Sequence, residues 1–407
     1  LLAFFLLFAR FFWLQVVQHE HYQTRAEDNR ISLVPIVPNR GVIVDRNGMV
    51  LARNYSAYTL EITPGKVADL EAVINELAGV IDIQPKDRKR FRKLLEESKN
   101  FESLPIRTRL TDEEVARFIV QRFRFPGVDI KARLFRQYPQ GDLASHALGY
   151  IGRVNDRDLG TIERNNAEDN YRGTEHFGKT GLEQKYEFEL HGQTGFEQVE
   201  VDSGGRAVRV LERTAPVSGN NLVLTLDARL QQVVEKAFGK RRGALVAIEP
   251  STGGVLALVS MPGYDPNLFV DGIGSQDWEA LNTSEDKPMV NRALNGAYPP
   301  GSTFKPFMAL AALETGKRTP QQAISDPGFF TFGGHTFRDD KPGGHGTVDM
   351  YKSIVHSCDT YYYVLANDMG IDAISNFMRQ LGFGQRTGID IEGESEGVLP
   401  SQEWKKK

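Results

Sequence analysis

One cysteine, Cys358, stands in 407 residues. No intramolecular disulfide can form, so in an oxidising compartment this thiol has to be buried, bound to a ligand or reactive. A basic stripe is missing too. Lys and Arg number 49 against 53 Asp and Glu, leaving a net charge of −4 with the signs mixed, which excludes the electrostatic footprint of a nucleic-acid binder. No exact internal repeat or low-complexity tract occurs. With 25% charged and 40% apolar residues the composition is that of folded globular protein.

The chain is too long for one ordinary core and implies two or three domains. Its start, LLAFFLLFARFFWLQVV, is apolar except for Arg10 and Gln15. That run is at the short end for a membrane span, which needs about 20 residues. With no initiator Met and no basic flank, the expectation is that the chain begins part-way through a single anchor over residues 1–20. Trp13 suits a membrane interface. A signal peptide and a buried core helix are the alternatives, and the lack of a small-x-small cleavage site weighs against the first.

From 21 to about 215 the texture is charged and turn-rich. NRGVIVDRNGMVLARN (39–54) predicts a hairpin with Asn47-Gly48 as its turn. Residues 66–125, with DRKRFRKLLEES and DEEVARFIVQRF, carry helical spacing and predict a helical head inserted between strand-rich parts. GKTGLEQKYEFELHGQTG predicts a helix from Gly181 stopped by Gly192. From 216 on, NLVLTLDARLQQVVEKAF reads as strand then helix. GALVAIEPSTGGVLALVSM reads as two apolar strands of a sheet covered on both faces.

In YPPGSTFKPFMALAALETG (298–316), Ser302 falls at a helix N-terminus, where free amides and the positive dipole end favour an anion. Lys305 lies one turn on and shares its face. A desolvated lysine there would accept the serine proton and create a nucleophile. Ser-x-x-Lys alone is common by chance, and the plain alternative is an N-cap beside a solvated lysine. Fifty-five residues after Ser302 comes Ser357-Cys358-Asp359. These are the first two of the three motifs (Ser-x-x-Lys, Ser-Asp-Asn, Lys-Thr-Gly) of penicillin-binding proteins and class A β-lactamases.

RGVIVDRNGMVLA, YPQGDLASHALGYIGRV, GLEQKYEFELHGQTG, DMGID and TGIDIEGESEG extend the likeness over essentially the whole chain. It resembles the class B penicillin-binding proteins, specifically the elongation-specific branch of Gram-negative rods. The resemblance implies a multidomain α/β (α+β) fold: an N-terminal membrane helix, an elongated strand-rich pedestal (21–215) with the helical head, and a transpeptidase domain (216–407) with a central antiparallel sheet flanked by helices.

Two departures stand out. The third motif should follow the second by well over a hundred residues and is not in this chain, so the transpeptidase domain is expected to be C-terminally incomplete. Lys179-Thr180-Gly181 is a decoy: it precedes Ser302 and opens a helix. The second motif also ends in Asp359 rather than Asn.

The resemblance implies a peptidoglycan D,D-transpeptidase. Ser302 attacks the penultimate D-Ala of a donor stem peptide, Lys305 is the base, Ser357 relays protons and Asp359 orients the lysine. β-Lactams act as substrate mimics. Acyl transfer needs no cofactor. Implied partners are a SEDS-family glycan polymerase of the RodA type and elongation-complex scaffold proteins, with the bulk of the chain periplasmic. A non-catalytic scaffold and a β-lactam-sensing receptor remain as other readings.

Between the two motifs lie His335, His345, His356, Asp326, Asp339 and Asp340, which with Cys358 make a plausible zinc environment. The resemblance points to Asp326, Asp339, His345 and Cys358 as ligands of a structural zinc. Asp340 in place of Asp339, His335 or His356 in place of His345, and a simple buried thiol stay open.

Overall fold

The computed structural model describes residues 2–13, 16, 18, 31–97, 103–201 and 207–406. The chain packs as two compact units: residues 1–241 with 245–289, and residues 242–244 with 290–407. Residues 216–241 and 245–289 thus pack with the first unit.

The apolar start forms α1 (Leu2–Phe12). Among the described residues, no helix is long and apolar enough to cross a membrane. Residues 1, 14, 15, 17, 19 and 20 of the expected anchor lie outside those described.

In the first unit, β1 (Ile31–Ile36) is followed by the predicted hairpin, β2 (Ile43–Val44) and β3 (Val50–Ile62). Gly48 takes φ +84° in the turn. The carboxylate of Asp45 braces the turn, accepting from the amides of Asn47 and Met49. The block expected to be helical is only partly so. It holds α2 (Leu70–Leu77), α3 (Pro85–Glu97) and α4 (Asp112–Gln121), but Leu104–Leu110 is a strand, β4, paired with β3. Leu104, Ile106 and Leu110 fall on alternate positions and are buried against Phe91 and Phe118, so period-two burial outweighs the charged, helix-like composition around them. Thr111 and Glu114 form a reciprocal capping box that starts α4. β5 (Val128–Gln137) pairs along the other edge of β3.

The stretch after Gly181 gives two short helices, α5 (Gly181–Lys185) and α6 (Glu187–His191), which end at Gly192 with φ +88°. Together they close a buried charge cluster. Arg40 reaches Glu183 and Glu187 at 2.8 and 2.7 Å, and Arg136 reaches Glu183 at 2.7 Å. Tyr138 and Tyr171 donate to Glu183 and Glu187 at 3.1 and 3.0 Å. β6 (Gly195–Val201) pairs with β1 and with β7 (Ala207–Thr214).

Asp227 caps α7 (Ala228–Phe238). β8 (Gly243–Ile248) and β9 (Val255–Met261) pair as read from the sequence. Cover on both faces holds only for β9, where Ala257, Leu258 and Val259 are buried. Leu245, Val246 and Ile248 of β8 are exposed, whereas β9 is held against α7 by Gln231, which donates to Leu258 O and accepts from Leu258 N.

The second unit is built around α8 (Lys305–Glu314), the short β10 (Ile324–Asp326), the hairpin β11 (Phe329–Phe332) and β12 (His335–Arg338), β13 (Gly346–Val348), then α9 (Met350–Val355), α10 (Asp359–Met369) and α11 (Ile371–Gln380). Its core joins Met308, Ala311 and Ala312 of α8 to Tyr361 and Leu365 of α10 and Met378 of α11. Small alanines on α8 let the helices approach closely.

Candidate functional site

Ser302 lies in a 3-10 turn, Gly301–Phe304, that runs directly into α8. Pro299, Pro300 and a left-handed Gly301 (φ +57°) bring the chain into that turn, leaving Ser302 exposed. Lys305, the first residue of α8, is by contrast only 9% exposed. Its Nζ donates to the Ser357 carbonyl, to Ser357 Oγ at 3.1 Å and to Asp359 Oδ1 at 2.5 Å. The Tyr362 ring lies 5.7 Å from the same nitrogen, a cation–π contact that no motif in the sequence announces. Tyr361 and Tyr362 are buried.

Ser357 Oγ in turn donates to Ser302 Oγ at 2.8 Å. The four predicted catalytic residues therefore form one hydrogen-bonded chain, Ser302–Ser357–Lys305–Asp359, with the two serines 55 positions apart in sequence. The link from Ser302 to Lys305 runs through the Ser357 hydroxyl. Asp359 serves as the lysine's counter-ion, at the first position of α10, where a carboxylate also suits the helix dipole. Ser357 sits between α9 and α10 with φ +52°, a left-handed conformation that a residue with a Cβ adopts at a cost of about 1–2 kcal/mol. The kink aims both its carbonyl and its hydroxyl at Lys305.

Lys179, the decoy lysine, is engaged elsewhere. It pairs with Asp158 in the first unit, and Gly181 opens α5.

One residue past Ser357 the chemistry changes. The side-chain donor atoms of Asp326, Asp339, His345 and Cys358 all lie within 4.8 Å of one another. Cys358 Sγ is 3.4 Å from both Asp326 Oδ2 and Asp339 Oδ2. His345 Nδ1 is 3.1 Å from Asp326 Oδ2 and 3.5 Å from Asp339 Oδ1. Asp326 also accepts from the amides of Gly328 and His345 at 2.7 and 2.8 Å, and Asp339 from that of Thr360 at 2.7 Å. Burial works to raise both carboxyls, yet hydrogen bonds hold their pKa values below the usual range, from the Gly328 and His345 amides for Asp326 and from the Asp340 side chain and then Thr360 for Asp339. The Cys358 thiol is pushed up to about 12, first by burial and then by Asp339 and Asp326.

Of the open alternatives, Asp340 and His335 are exposed, and His356 stacks its ring on His345 at 5.4 Å instead of joining the cluster. Two anionic carboxylates and a thiol faced by a single imidazole are short of positive charge. A divalent cation would offset that deficit and deprotonate the thiol, and this oxygen, nitrogen and sulfur donor set fits zinc.

Comparison with known proteins agrees with this layout. Residues 35–224 match the penicillin-binding protein dimerisation domain family, and residues 243–407 the penicillin-binding protein transpeptidase domain family. The chain is 45% identical over 403 residues to the peptidoglycan D,D-transpeptidase MrdA of Escherichia coli K12, covering 98% of this chain and 64% of that protein. The MrdA protein of Acinetobacter baumannii is also 45% identical, with 98% of this chain and 59% of the relative covered. Two solved structures are similar. One is the complex between penicillin-binding protein PBP2 and MreC from Helicobacter pylori, with TM-score 0.79, 30% identity, and 92% of this chain and 69% of that chain covered. The other is PBP2 of Pseudomonas aeruginosa in complex with WCK 5153, with TM-score 0.66, 36% identity, and 92% and 62% covered. The chain spans about 64% of the length of its E. coli relative. It belongs to the class B penicillin-binding proteins, as the motifs led one to expect.

Proposed function

We propose that this class B penicillin-binding protein is a peptidoglycan D,D-transpeptidase acting through a serine acyl-enzyme. The observation that carries the reading is the hydrogen-bonded chain from Ser302 through Ser357 to Lys305 and Asp359. In this reading Ser302 Oγ forms a bond to the penultimate D-Ala carbonyl of a donor stem peptide. Its proton passes by way of Ser357 to Lys305 and returns to the departing D-Ala amine. The acyl-enzyme is then resolved by the side-chain amine of a neighbouring stem. Asp359 holds Lys305 in place, and the Ser302 amide supplies one oxyanion donor. β-Lactams acylate the same hydroxyl.

Around this chemistry we place a structural zinc on Asp326, Asp339, His345 and Cys358. With four protein donors it has no open position, so what it supplies is rigidity in the loop between the two motifs. We also place the protein in the inner membrane by a single N-terminal anchor, with its bulk periplasmic, working beside a SEDS-family polymerase and elongation scaffolds. The MreC complex of the H. pylori relative and a solved peptidoglycan synthase complex at 30% identity support partners of that kind.

Fluorescent penicillin tests the reading. The full-length protein should label covalently and Ser302→Ala should not. An unlabelled parent would leave a scaffold role instead, and a labelled Ser302→Ala would overturn the assignment of Ser302 as nucleophile.

A further inference from the structure

FFTFGGHTF (329–337) forms a tight hairpin in which Gly333 and Gly334, at φ +58° and +77°, supply the two-residue turn. Its register pairs Phe330 with Phe337 and Phe332 with His335. Residues directly opposite one another, and residues two apart on one strand, project from the same face. One face of the hairpin is therefore entirely aromatic: Phe330, Phe332, His335 and Phe337. The other face carries Phe329, Thr331, Thr336 and Arg338.

The aromatic face has two halves. At its base Phe330 and Phe337 rest on Tyr363 of α10, with ring centroids 6.4 and 5.6 Å away. At its tip Phe332 is 61% exposed and His335 is exposed as well. The Phe330 and Phe332 rings are nearly parallel, 9° apart with 6.4 Å between centroids, and follow one another along the strand. The position of this strip is set from both ends. Asp326 precedes the hairpin and Asp339 follows it, with Asp339 N bonded to Gly328 O at 2.9 Å, and Thr360 of α10 donates to Asp339. Tyr363 is one helical turn beyond Asp359, so the strip flanks the acyl site.

We propose that this strip binds the sugar rings of the glycan strand whose stem peptide enters the acyl site. The proposal rests on the transpeptidase reading for its choice of polymer. A pyranose ring offers a flat face of C–H groups carrying slight positive charge, complementary to the negative π-face of an aromatic ring. The tip of the strip is open, as an incoming polymer requires, and its rings bring no carboxylate. The charged groups of the stem are met instead by the Ser302–Asp359 cluster, so sugar and peptide are recognised by adjacent surfaces of different chemistry.

The test uses denuded glycan strands, from which an amidase has removed every stem peptide, and the full-length protein. The parent should bind them. Phe332→Ala should weaken binding roughly two- to tenfold, the range of a single aromatic contact. Phe332→Trp, which keeps an aromatic face, should restore it. His335→Ala is a second exposed tip variant, expected to weaken binding in the same direction, and melting curves check that each variant folds. Equal binding by parent and both alanine variants overturns the proposal. So does a parent that ignores denuded strands, or one that uses Phe332 to bind phospholipid vesicles but not strands. A parent that labels with penicillin but fails with the strands sinks only the glycan surface. A parent that does not label, yet binds strands through Phe332, sinks the acyl reading instead.

Discussion

Each unit buries a cluster of charged and polar groups, and the two clusters are composed differently. In the first unit Arg40 and Arg136 face Glu183 and Glu187, two cations against two carboxylates, with Tyr138 and Tyr171 donating to the same acids. In the second, Asp326, Asp339, His345 and Cys358 converge with no guanidinium or ammonium among them. The balanced cluster pairs its charges within itself, although one buried guanidinium nitrogen of Arg136 has no hydrogen-bond partner, and it ties together segments distant in sequence. The unbalanced one carries more acidic groups than basic ones, which is what the proposed cation would offset. Buried charge is thus read for function by its remainder, and the first cluster has none.

The sharpest way to break the comparison is to unbalance the first cluster. Arg136→Met leaves Glu183, fully buried, with one partner fewer. Loss of one member of a buried pair costs about 3–5 kcal/mol, so the melting of the first unit should fall by that amount. A second change, Glu183→Gln, should recover part of it. If Arg136→Met alone is neutral, the cluster is not the staple described here.

Next in size is removal of the cation from the second cluster. A metal at a hundred times its dissociation constant stabilises a fold by about 2.7 kcal/mol. Chelation should therefore lower the melting of the second unit by roughly that much, with no change in the first. Metal analysis should find about one zinc per chain in the parent and none in Cys358→Ser; a zinc-free parent defeats the assignment.

A smaller effect is expected from pH. His191 is buried and stacked on Tyr171 with centroids 4.1 Å apart, and burial lowers its pKa from 6.5 to about 4. Because the folded state resists the proton that the unfolded chain accepts, stability is intact above pH 6.5 and is lost as pH falls towards 4. By pH 5 the loss reaches about 2 kcal/mol. His191→Phe, which keeps the ring stack, should flatten the stability profile between pH 6.5 and 5, and an unchanged profile would assign the loss to other groups.

The sequence disclosed the second unit better than the first. Ser302, Lys305, Ser357 and Asp359 were legible because the two motifs set particular side chains at a spacing that shows in the linear chain, and the fold brings them into one hydrogen-bonded chain. The choice of Asp339 over Asp340 was not legible, though an extended strand decides it. Positions 337 and 339 share one side of the chain, so Phe337 meets Tyr363 while Asp339 meets Thr360, and Asp340 turns to solvent. The buried cluster of the first unit escaped notice altogether. Arg40, Arg136, Glu183 and Glu187 look like surface charge in a charged region, and only the tertiary fold makes them neighbours. β4 was lost among helical segments, since a strand that opens Leu104-Pro105-Ile106 and continues with Arg107 and Arg109 gives a weak signal. The aromatic hairpin did carry a signal, Gly-Gly between two alternating aromatic runs, but the histidines beside it drew the reading towards metal.

Ser357 couples all of this in one residue. Its side chain faces Ser302 while the next side chain, Cys358, faces the carboxylates. Glycine is what a left-handed φ of +52° would select, and glycine there would relax the backbone and delete the hydroxyl. Alanine would delete the hydroxyl and keep the strain. Stability and chemistry therefore pull this position in opposite directions. A glycine here would give a folded protein that has lost the hydroxyl linking Ser302 to Lys305, so the comfort of the backbone and the continuity of the hydrogen-bonded chain cannot both be had at this position.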